Sequence, residues 1–105
     1  MPKARIHLPE ERIGAFCRKW KVKELSLFGS VLRDDFRPDS DVDVLVDFLD
    51  DARWGLFDLI HMEEELSTIL QRKADLVDRR SVEAARNYIR RRHILNSLEP
   101  VYVAR

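Results

Sequence analysis

With a single cysteine, Cys17, the chain has no means of forming an intramolecular disulfide and offers no cysteine-rich zinc site. Three glycines and four prolines in 105 residues leave no flexible or low-complexity linker. A composition of 45% hydrophobic and 36% charged residues is that of a folded domain rather than a disordered segment. No apolar run approaches the roughly 20 residues needed to cross a bilayer. Met1 to Pro9, although basic, lacks the apolar stretch of a signal peptide, so a cytoplasmic protein without membrane contact is expected. Net charge is lacking as well. With 19 Lys and Arg against 19 Asp and Glu, bulk electrostatic binding to nucleic acid is not expected. The three histidines, His7, His61 and His93, are too scattered to suggest a metal site by spacing. One domain over residues 1–105 fits this length.

The zero average hides a division. Asp34 to Asp51 holds eight Asp against one Arg, a balance of −7. Arg72 to His93 holds eight Lys and Arg against three acids, a balance of +5. Ordinary solvated surface accounts for most charge runs, but acid and base in separate blocks also suit a site for metal and polyphosphate.

Periodicity gives the elements. Ile13, Phe16, Cys17 and Trp20 recur at helical spacing, which predicts a helix over about 9–20 and makes Cys17 a core residue rather than a nucleophile. Glu24 to Phe28 reads as a short strand broken by Gly29-Ser30, with a short helix over about 31–35. Asp41 to Phe48 is the clearest strand: Val42, Val44, Val46 and Phe48 alternate with Asp41, Asp43, Leu45 and Asp47. A helix over about 56–71 buries Leu59, Met62, Leu66 and Ile69, with Glu63, Glu64 and Glu65 mostly outside. Trp54, in the preceding loop, is expected to pack over the core, with stacking on a base as the alternative. Ala74 to Val77 is a third strand, Ser81 caps a helix to about Ser97, and Val101 to Val103 forms a terminal strand. The order αβαβαβα(β) predicts an α/β (α+β) domain with a small mixed sheet flanked by helices.

Chemistry concentrates in Leu27 to Phe48. Gly29-Ser30 lies where a strand exits into a helix, and free N–H groups at a helix start bind phosphate. Glycine there allows close backbone approach, and the Ser30 hydroxyl has a proton to donate. Asp41-x-Asp43 opens a strand whose side-chain period of two puts both carboxylates on one face. Two adjacent carboxylates stay ionised most easily around a cation, and oxygen-only ligands favour Mg²⁺. Ten residues separate Ser30 from Asp41, enough for the chain to lead away and return.

This Gly-Ser-x₁₀-Asp-x-Asp arrangement resembles the signature of the DNA polymerase β-type nucleotidyltransferase superfamily. The resemblance implies a third carboxylate on a neighbouring strand, matched by Asp75 in Lys73-Ala74-Asp75-Leu76-Val77; Asp78 is the competitor but faces the other way. The short leading helix, the Asp-Leu-Val strand and the ending near Val101-Tyr102 are similar to the MNT group of minimal nucleotidyltransferases, over nearly the whole chain. Asp34, where glycine is common, and Leu32, where alanine is common, depart from that group.

Membership would imply the antitoxin half of an MNT/HEPN pair, moving AMP from ATP to a tyrosine hydroxyl of a HEPN RNase toxin in a hetero-oligomer. Asp41 and Asp43 would then hold two Mg²⁺ ions and Asp75 would complete the acceptor side. Gly29 and Ser30 would grip the terminal phosphates, and Arg33 would reach the triphosphate. Two alternatives stand beside this reading: an antitoxin or nucleotide-binding module acting by contact alone, and a transferase for a small-molecule acceptor. Arg86 to Arg92 is a basic run that suits an acidic partner, a substrate or solvent.

Overall fold

The alternating valines of residues 42–48 become a central strand of a four-stranded sheet, in a computed structural model that describes residues 8–29, 41–83, 92 and 98–104. The described elements run α1 (Glu10–Lys19), β1 (Val22–Phe28), β2 (Val42–Phe48), α2 (Leu56–Leu70), β3 (Ala74–Asp78), α3 (Arg79–Glu83) and β4 (Glu99–Val103). Spatial order is β3-β2-β1-β4. The pairs β1/β2 and β1/β4 are antiparallel, whereas β2/β3, joined across α2, is parallel. The sheet is therefore mixed, with helices against it, in agreement with the expected fold class. The expected helix over 31–35, and the expected stretch to Ser97 apart from helical Arg92, lie outside the described residues.

One sheet face carries the main core. Val42, Val44 and Val46 have no exposed surface, and they meet Leu25 and Leu27 of β1, Ile13, Phe16 and Cys17 of α1, and Met62 and Leu66 of α2. Each such side chain contributes about 1.5–3 kcal/mol of burial. Cys17 is part of this layer, and burial pushes its thiol up to about 12, against a smaller opposing pull from Arg18. It stays protonated and inert at neutral pH. The opposite face carries a smaller cluster, Leu45 and Val82 with Phe28, Val77 and Leu98 packed on it.

Two local expectations need correction. The last helix begins at Arg79, not at Ser81, because Asp78 Oδ1 accepts the Arg80 N–H at 2.9 Å. Asp serves at a helix N-terminus as well as Ser does, and it sits where the strand has just ended. The three glutamates of α2 are also not alike. Glu64 is exposed, Glu65 accepts from Trp20 Nε1 at 2.8 Å and from Lys19 Nζ at 2.7 Å, and Glu63 reaches the sheet.

Trp54 packs, as expected. Its ring meets Trp20 edge-on with centroids 5.1 Å apart, and its Nε1 donates to the Trp20 carbonyl at 2.8 Å. The Trp pair and Glu65 thereby tie the end of α1 to α2 and to the loop after β2. Burial raises the Glu65 carboxyl, but the hydrogen bonds from Lys19 and Trp20 and the Lys19 charge outweigh it and hold the group below its ordinary range. A depressed carboxylate stabilises the fold above its unfolded pKa of about 4.3 and loses that contribution as pH falls through the native value. Lys19 is largely exposed, so the gain is small, less than about 1 kcal/mol. Glu65→Gln should lower the thermal midpoint slightly at neutral pH. That difference should shrink below about pH 4 in melts followed by circular dichroism.

Candidate active site

The antiparallel register that pairs Phe28 with Asp43 brings the C-terminal end of β1 against the start of β2. The parallel register then sets Asp43 directly opposite Asp75, the second residue of β3. Neighbouring strands lie about 4.8 Å apart, so these two carboxylates and Phe28 stand in a row across three strands. Val42, Val44, Ala74 and Leu76 point into the main core. By strand alternation Asp43 and Asp75 stand on the opposite face, beyond Leu45 and Val77 of the small cluster. Asp43 is half-buried and Asp75 exposed.

Gly29 closes the other side. Its φ of +78° lies in the left-handed region, and a Cβ built there would run into the Asp43 carboxylate. Only glycine brings the backbone so close without strain. Asp41 sits one residue ahead of β2 and is exposed, while the Val42 N–H is held by the Lys73 carbonyl at 2.9 Å. Asp78 pairs in register with Val46 and caps α3, away from Asp43. Asp47 lies opposite Glu24 at the far end of β2. Ser30 and Arg33, expected to contact phosphate, lie outside the described residues, as does Arg86–Arg91 of the basic run.

The described residues contain no group of three or more His, Cys, Asp or Glu side chains gathered to hold an ion by themselves. Two carboxylates on adjacent strands, Asp75 exposed and Asp43 half-buried, with glycine backbone alongside, form an oxygen-only donor set. That set suits Mg²⁺, which binds through one or two carboxylates and keeps waters or phosphate oxygens in its shell.

The nucleotidyltransferase domain family profile matches residues 10–99, which takes in β1, β2 and β3 and the whole of this strand-end arrangement. The chain belongs to that family. Among nucleotidyltransferases with curated names it resembles the protein adenylyltransferase MntA of Thermococcus cleftensis, 38% identical over 66 residues, 63% of this chain. The match spans only 65% of that relative's length. A solved toxin–antitoxin complex with AMP-PNP contains a chain that superposes with a TM-score of 0.69 at 21% identity, over 93% of this chain and 76% of that one. A complex of the tri-AMPylated Shewanella oneidensis HEPN toxin with its MNT antitoxin gives 0.61 at 21% identity, over 90% and 70%. At that identity the structural likeness establishes the nucleotidyltransferase fold. Among the described residues no helix is long and apolar enough to cross a membrane.

Two residues outside the expected site, Glu63 and Ser67, bond to the β3 backbone on either side of Asp75. Their four-residue spacing puts both on one face of α2, but Glu64 and Thr68 share that spacing, so no signal in the sequence singles them out.

Proposed function

We propose that this nucleotidyltransferase is a protein adenylyltransferase of the antitoxin type. In this reading it moves AMP from Mg-ATP to a hydroxyl, a tyrosine of a HEPN RNase toxin, and silences that toxin within a hetero-oligomer. The observation that carries it is the Asp43–Asp75 register with Gly29 against Asp43, in a chain whose relatives include a named protein adenylyltransferase. The names of the structurally similar complexes supply the class of acceptor.

The acceptor oxygen attacks the α-phosphorus in line, a new P–O bond forms, and the bond to the β-phosphate breaks with its electron pair leaving on pyrophosphate. Asp41 and Asp43 would hold the metal, and Asp75 would complete its acceptor side and take the hydroxyl proton. Bound Mg²⁺ supplies charge neutralisation on the triphosphate and a lower pKa for the attacking hydroxyl. Gly29 backbone and Ser30 would hold the terminal phosphates, with Arg33 reaching the same group. An acceptor brought by another protein would complete the site.

The test is co-expression with the product of the neighbouring gene, followed by intact mass spectrometry of that product. One or more AMP-sized increments, absent with the Asp41→Asn/Asp43→Asn protein, are expected. A neighbour that binds tightly yet stays unmodified would support neutralisation by contact instead. A neighbour that neither binds nor gains mass would remove the toxin assignment.

A further inference from the structure

β3 is an edge strand, so half of its backbone donors point away from β2 and need other partners. Two of them find these on α2. The Ala74 N–H donates to Ser67 Oγ at 2.9 Å, and the Leu76 N–H donates to Glu63 Oε2 at 3.0 Å. The Ser67 hydroxyl spends its own proton on the Glu63 carbonyl at 2.7 Å, which leaves its lone pairs free to accept from Ala74. The match is metric. Residues four apart on a helix are separated by about 6 Å along its axis. Alternate strand residues are about 6.6 Å apart. Glu63 therefore meets Leu76 and Ser67 meets Ala74, in antiparallel sense, with little adjustment.

Asp75 is the residue between those two anchored amides, and its side chain stands on the face opposite the core. Among the described strands β3 pairs with β2 alone, and a slip of one residue in that pairing would turn Asp75 inward. We propose that Glu63 and Ser67 are positioning residues, a two-point clamp from α2 that fixes the height and facing of Asp75 opposite Asp43. This rests on the reading of Asp43 and Asp75, with Asp41, as the metal-binding carboxylates. The clamp acts only through the strand: Glu63 is itself half-buried beside β3, and its carboxylate is engaged with the Leu76 amide.

The test combines two readouts on the full chain. Amide hydrogen exchange at Ala74 and Leu76 reports the clamp, and Mn²⁺ binding in the presence of AMP-PNP, followed by electron paramagnetic resonance, reports the pair it positions. Glu63→Ala should speed Leu76 exchange about tenfold or more. It should also weaken Mn²⁺ about tenfold, the scale found for groups that orient metal ligands. Glu63→Gln, which keeps an acceptor oxygen, should restore both. Ser67→Ala should do the same as Glu63→Ala at Ala74, and it keeps the test decisive if Glu63→Ala folds poorly. Fast Leu76 exchange with unchanged Mn²⁺ affinity would overturn the proposal, leaving Glu63 a cover for the sheet edge. Equal weakening by Gln and Ala would overturn it too, since charge rather than the hydrogen bond would then be at work. If Asp75→Asn binds Mn²⁺ like the unsubstituted protein, the underlying site reading fails, and that result is separable from the exchange data.

Discussion

Asp43→Asn should reduce AMP transfer about 10²–10³-fold, the scale seen when one group of a charge-stabilising site is removed. The substitution keeps the shape of the side chain and takes away its charge. Asp43 is the one described carboxylate that faces both the strand-end glycine and the neighbouring carboxylate of Asp75. Its backbone lies within the β1/β2/β3 ladder, with Val42 and Val44 wholly buried on either side, so the strand should hold. The thermal midpoint should therefore change little. Asp47→Asn is the matched control: same strand, same face, opposite end. It lies across from Glu24, itself 4.0 Å from Arg79, so removing one of two facing like charges should leave stability and transfer nearly unchanged. Transfer rates from single-turnover measurements on both variants decide the matter. Full activity in Asp43→Asn would sink the metal reading at this residue, and an equal loss in Asp47→Asn would reduce it to a general charge effect.

Gly29→Ala should lose on two counts that can be measured separately. The left-handed backbone at φ +78° disfavours a side chain by about 1–2 kcal/mol, which should appear in denaturant unfolding. The added methyl also occupies the space of the Asp43 carboxylate. Asp has a short side chain and sits here on a central strand, so it must rotate off its position or the turn must retreat. A displacement of about 1 Å at reacting groups costs on the order of 10²-fold in rate. Transfer should then fall much further than stability does. A variant that is less stable but fully active would show that Asp43 has room to move and that the close approach is not part of the chemistry.

Much of this was legible because short-range physics governs it. The helical stripe of Ile13, Phe16 and Cys17 is buried, and Val42, Val44, Val46 and Phe48 face the core as their alternation implies. The preference for Asp75 over Asp78 follows the same period of two, with Asp75 falling opposite Asp43 and Asp78 turning to cap α3. Glu63 illustrates the opposite case. In the sequence it is one of three consecutive glutamates with no reason to differ from Glu64. Its partner is the amide of Leu76, thirteen residues away on another element, and amides carry no sequence signal. The last helix starts at Arg79 rather than at the expected Ser81 for a related reason. Asp78 and Ser81 are equally good caps, and what separates them is where β3 releases the chain.

The sequence by itself determined the buried stripe of α1, the alternating strand that carries Asp43 with Asp41 just ahead of it, and the carboxylates and glycine that stand at the strand ends. Those depend on residue identity and on periods of 2 and 3.6, which are local. Tertiary structure alone decided that β3 lies beside β2 and parallel to it, that the register sets Asp75 against Asp43, and that Gly29 leaves no gap beside that carboxylate. It also decided that two side chains of α2 hold the outer edge of β3. Strand pairing is made by backbone N–H and C=O groups common to every residue. Its register is chosen by how the buried faces fit together across the whole sheet, and no segment contains that information alone.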